Sequence, residues 1–96
     1  MIKHVIVIKF KADTTEEDKK RLEEMLGRLP SLIPEIKGFI FGQDVVRSER
    51  SYDFALVSDF DNLETLDVYR KHPEHIKVLQ HVRSISEHII AVDFEY

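Results

Sequence analysis

Tyr69-Arg70-Lys71-His72-Pro73-Glu74-His75 divides the second helical region of the chain and gathers titratable side chains at the division. A proline excludes the residue before it from helical backbone yet fits the first turn of a helix itself. One helix therefore ends near Lys71 and another starts at Pro73, with His72 at the cap. Glu74 and His75 then fall in the first turn of the new helix, where the positive end of the macrodipole suits a carboxylate and disfavours a charged imidazole. Val78, Leu79 and Val82 follow His75 at three, four and seven residues, which places the imidazole on the stripe that the helix buries. The same residues also fit a plain helix-helix turn, with Pro73 ending one helix and His75 a hydrogen-bonded core residue.

Upstream, Leu63, Leu66 and Tyr69 are spaced by three behind a cap at Asp61 or Asn62, so Tyr69 shares a buried side with both leucines. Downstream, Ser84 to Phe94 reads as a last strand, with His88, Ile90, Val92 and Phe94 opposite Ile89 and Ala91. Residues 3 to 11 are β-branched and alternating, giving a first strand with His4, Ile6, Ile8 and Phe10 on one face and Lys3, Val5, Val7 and Lys9 on the other. Thr14 and Glu17 have capping-box spacing and open a helix whose stripe is Leu22, Met25, Leu26 and Leu29, with Pro30 and Pro34 bringing an irregular end. Lys37 to Val46 holds a second strand whose glycines, Gly38 and Gly42, suggest a bulge or a close approach of another backbone. The polar run Arg47 to Ser51 connects it to a third strand, Tyr52 to Phe60.

The order is strand, helix, strand, strand, two helices, strand, which is the ferredoxin-like split βαβ pattern of an α+β fold, with the first and third strands in the middle of the sheet. All 96 residues read as one domain. The bulkier strand face, with Ile6, Ile8, Phe10, Phe54, Leu56, Ile90, Val92 and Phe94, is expected under the helices. The other face, with Val5, Val7, Ile40, Ala55, Val57, Ile89 and Ala91, is too apolar to meet water. Covering it with the same face of a second copy predicts a homodimer, a dimeric α+β barrel.

A net charge of −4 with the two signs interspersed offers no basic patch for nucleic acid. The absence of cysteine removes thiolate nucleophiles and zinc-thiolate sites. The apolar run Val5 to Ile8 is too short to enter a membrane, so a cytoplasmic protein is expected. No phosphate loop, nucleophilic serine motif or other cofactor motif is present, and no cofactor or metal is expected: His72 and His75 lack evident further ligands. What remains is a small-molecule cavity between sheet and helices. In it His75 is a candidate base, Tyr69 an orienting phenol, and His4, at the polar end of the first strand, a contact to the ligand. His4 also reads as a residue that merely satisfies a backbone group.

Lys-His-Val-Ile-Val-Ile-Lys-Phe-Lys at the start, together with Tyr69-x-x-His72-Pro73-x-His75, resembles the stress-responsive α/β barrel, or Dabb, family over essentially the whole chain. The resemblance implies a ferredoxin-like subunit in a dimeric barrel. Within the family the chain is similar to plant polyketide cyclases of the olivetolic acid cyclase type. That similarity implies an aldol-type role for Tyr69 and His75 and a pocket role for His4, with His72 and Phe54 as further substrate contacts. Phe54 stands where the cyclase type carries another histidine, a departure that removes a polar group from the implied site. The leading expectation is cofactor-independent proton transfer, a cyclisation or isomerisation, on a small oxygenated molecule. The alternatives are a non-catalytic stress-responsive assembly protein, with the cavity filled by Met25, Phe54 and Phe94, and a monooxygenase using only substrate and oxygen.

Overall fold

The β-branched run Ile2 to Ile8 and the apolar stripes along three helices assemble into four strands and three helices in a computed structural model that describes residues 1–96. In chain order these are β1 (Ile2–Phe10), α1 (Glu16–Leu32), β2 (Gly38–Gln43), β3 (Phe54–Phe60), α2 (Leu63–Lys71), α3 (Pro73–Ile85) and β4 (Ser86–Glu95). The sheet order is β2-β3-β1-β4 and every neighbouring pair is antiparallel, so β1 and β3 are central, as the ferredoxin-like pattern requires. The helices cover one face. Leu22, Leu26 and Leu29 of α1, Leu66 and Tyr69 of α2, and Val78, Val82 and Ile85 of α3 close over Ile2, Ile8, Phe10, Phe54, Leu56 and Phe60. No helix is long and apolar enough to cross a membrane.

Several local expectations shift. The first capping box is Thr15 with Asp18, one residue later than Thr14 with Glu17, each donating its N–H to the other's side chain at 3.1 Å. Thr14 instead donates its hydroxyl to the Ile85 carbonyl at 3.0 Å and so ties the start of α1 to the end of α3. Pro30 does not end α1. It is exposed and lies inside the helix, which continues to Leu32 because Leu29 and the fully buried Ile33 anchor the last turn in the core. Met25 is only partly buried, and Leu63 is exposed at the start of α2, because the buried side begins at Leu66. β2 carries no bulge: its register with β3 runs evenly from Gly38 opposite Asp59 to Gln43 opposite Phe54. Gly38 is explained by a side chain rather than a backbone, since any Cβ there collides with the Asp59 carboxylate.

The largest correction concerns β4. Residues directly opposed in an antiparallel pair share a face. β4 sets Val92 opposite Val5 and Ile90 opposite Val7, while Ala91 lies opposite Ile6 and Asp93 opposite His4. Ile90, Val92 and Phe94 therefore belong to the face away from the helices, and Ile89, Ala91 and Asp93 face inward. With apolar residues on both sides of the strand, residue size did not reveal its phase, and a shift of one residue exchanges the faces. The outer face is consequently more apolar than expected: Ile40, Ile90, Val92 and Phe94 are 69%, 53%, 62% and 47% exposed and flank Val5, Val7, Ala55 and Val57.

Replacing Pro30 with alanine restores an N–H for the Leu26 carbonyl. It should raise stability by about 1–2 kcal/mol, the helix preference for alanine being partly offset by a freer unfolded chain. Urea denaturation followed by far-UV circular dichroism measures the change; equal or lower stability would contradict this account of α1.

Candidate active site

Pro73 forces the residue before it out of helical backbone, and His72 answers with φ −64° and ψ 133°. It closes α2, its N–H reaching the Tyr69 carbonyl at 3.2 Å, and it caps α3, its Nδ1 accepting the Glu74 N–H at 3.1 Å. His72 takes the capping position expected of it and is not among the residues lining the cavity described below. The turn folds α3 back so that Tyr69, near the end of α2, lies beside His75, near the start of α3. Their ring centroids are 4.3 Å apart.

Tyr69 is 1% exposed, and its ring lies 6.0 Å from that of His4 and 5.0 Å from that of Phe60. His4, Tyr69 and His75 line one cavity of about 330 Å³ between sheet and helices, whose deeper wall is apolar and includes Ile8, Leu26, Phe54 and Leu56. Of the five candidate residues, His4, Phe54, Tyr69 and His75 line this cavity. The space is open. Phe94, expected as a filler, lies on the other face of the sheet, and Met25 borders a charged groove between α1 and α3 instead. Room exists because the inner residues of β4, Ala91 and Asp93, are short where they adjoin Ile6 and His4.

The electrostatics separate the polar groups. His75 is half-buried, and burial pulls its pKa below the ordinary 6.5, keeping the ring neutral. Its Nδ1 lies 3.1 Å from the Arg70 carbonyl, an acceptor only, so Nδ1 carries the proton and Nε2 keeps its lone pair. Burial also pushes the Tyr69 phenol well above its usual pKa, so it remains a donor at neutral pH. His4 places Nδ1 on Asp93 Oδ1, and Asp93 Oδ2 accepts from Arg70 at 3.1 Å. This carboxylate orients the imidazole from across the strand pair.

Asp93 and Arg70 escaped the sequence reading. Asp93 is the only acid between His88 and Phe94, an available signal, but assigning Ile90 and Val92 to the inner face turned it outward. Arg70 lies in the last turn of α2, and nothing in its spacing points to the cavity. No group of three or more His, Asp or Glu side chains is placed to hold a metal ion.

The family model for the stress responsive A/B barrel domain, Dabb, matches residues 2–96. Olivetolic acid cyclase of Cannabis sativa is 32% identical over 95 residues, spanning 97% of this chain and 94% of the cyclase. A stress-response A/B barrel domain-containing protein of Arabidopsis thaliana is 28% identical over 96 residues, spanning 96% of this chain and 83% of that protein. A dimeric ferredoxin-like protein of unknown function from Thermobifida fusca superposes with a TM-score of 0.91 at 29% identity, over 99% of this chain and 90% of the other.

Because burial lowers the His75 pKa, the unfolded chain binds that proton more readily. The stability linked to His75 is complete above about pH 6.5 and declines as the pH falls through the folded pKa. An NMR titration of the His75 ring should find a midpoint below 6.5, and His75→Gln should flatten the loss of stability on the acid side. A midpoint above 6.5 contradicts the assignment.

Proposed function

The chain belongs to the stress-responsive A/B barrel family, and from that premise we propose that it binds a small oxygenated organic molecule in the cavity and moves a proton on it without a cofactor, in a cyclisation or isomerisation. The observation that carries this reading is the His75 ring: neutral, with Nδ1 held by the Arg70 carbonyl, and against the Tyr69 ring at the wall of an open apolar cavity. His75 Nε2 takes a proton from carbon adjacent to a substrate carbonyl. The electron pair moves onto the carbonyl oxygen, and the Tyr69 hydroxyl donates a hydrogen bond to the resulting enolate. Where the enolate is conjugated with a neighbouring double bond, return of the proton to the far carbon is an isomerisation. Attack of the enolate carbon on a second carbonyl of the same molecule, with the proton passing to the new alkoxide, is a cyclisation. His4, oriented by Asp93, contacts the ligand, and Phe54 shapes the apolar end. Similarity to olivetolic acid cyclase supports this class of reaction, and an unfilled cavity favours it over a purely structural role.

The subunit works as a homodimer in this reading. The exposed apolar sheet face is the kind of surface that a second copy covers, and the Thermobifida fusca relative is dimeric.

Two experiments test these statements. Proton–deuterium exchange at the α-carbon of acetophenone, followed by NMR, should be accelerated by the protein. His75→Asn should remove about 10²-fold or more of that acceleration while leaving the circular dichroism spectrum intact. Equal rates in the two proteins contradict the role of His75. Native mass spectrometry at micromolar concentration should show a dimer that Val92→Lys converts to monomer, and a monomeric wild type contradicts the pairing.

A further inference from the structure

We propose that the ligand of this cavity is an amphipathic carboxylic acid, bound with its carboxylate at the mouth on the Arg70 guanidinium and its apolar part inside. This rests on the cavity being the binding site, as above, and adds the chemical class that it takes.

Arg70 is the only residue of fixed charge among those lining the cavity. Its side chain is 50% exposed, so it stands at the mouth rather than in the interior. A guanidinium carries five N–H donors, and within this chain only one of its nitrogens finds a partner, Asp93 Oδ2 at 3.1 Å. The remaining donors are free for a planar anion, the geometry to which arginine is best suited. Asp93 is not part of the cavity lining; one of its oxygens holds a guanidinium nitrogen and the other is taken by His4. A ligand carboxylate takes the donors that Asp93 leaves.

The opposite end settles the orientation. Ile8, Leu26, Phe54 and Leu56 offer no group to solvate a charge, so a carboxylate stays at the rim and the hydrocarbon enters. Arg70 also links recognition to chemistry. Its carbonyl holds His75 Nδ1 while its side chain receives the anion, so the carbons nearest the carboxylate are delivered beside the base.

Octanoate and octanamide, equal in size and different in charge, separate the two claims in an amide chemical-shift titration at pH 7. Both should shift resonances around the cavity, with octanoate bound about 10- to 100-fold more tightly. Arg70→Gln should abolish that preference by weakening octanoate while leaving octanamide within about twofold, and Arg70→Lys, which keeps the charge and loses the fork, should fall between. Equal binding of acid and amide to the wild type, or a preference that survives Arg70→Gln, overturns the carboxylate assignment and leaves the cavity as a binding site. If neither compound shifts cavity resonances, the cavity reading fails and this assignment fails with it.

Discussion

Pro73 excludes a helical His72, whose backbone turns out of the helix while its Nδ1 caps the Glu74 N–H. That double use of one histidine sets the angle at which α3 leaves α2. Because α3 turns back, the Arg70 carbonyl at the end of α2 meets His75 Nδ1, and the Tyr69 ring meets the His75 ring. The tautomer of the proposed base and the position of its phenol partner therefore follow from a backbone restriction, before any side chain is chosen for chemistry.

A chain of 96 residues has one modest core, and a cavity in it has to be compatible with stability. The position of the cavity reduces the conflict. The large apolar residues of β1 and β3 pack under α1, α2 and α3, whereas the edge strand β4 turns Ile89, Ala91, Asp93 and Glu95 toward that side. Small and polar inner residues at that edge leave space that the helices do not fill. The large residues of β4, Ile90, Val92 and Phe94, go to the outer face instead, where pairing with a second copy can bury them. One strand thus opens the proposed site on one side and supplies the proposed interface on the other.

The fold was legible because strand alternation in residues 3 to 11, the leucine stripe of α1 and the proline break each point to one local structure, and together they allow few arrangements. His75 and Tyr69 were legible for the same reason, their places being fixed by spacing from Pro73 and from the buried stripes. What escaped depended on contacts distant in sequence. The phase of β4 is set by its register with β1 and not by its own apolar pattern, so Asp93 stayed hidden until Ala91 was seen opposite Ile6. Pro30 misled because a single missing N–H costs less than releasing the buried Leu29 and Ile33 from the core. The shift from Thr14 to Thr15 as cap reflects Thr14's bond to the Ile85 carbonyl, a contact across 71 positions that no local pattern contains.

The most direct test of this account is a long-range proton–nitrogen NMR measurement of the histidine tautomers at pH 7. The account predicts that His75 is neutral with its proton on Nδ1 and an unprotonated Nε2, and that His72, whose Nδ1 accepts the Glu74 N–H, does not carry its only proton there. A His75 ring charged at pH 7, or neutral with its proton on Nε2, would contradict it, because neither form leaves Nε2 free to act as the base.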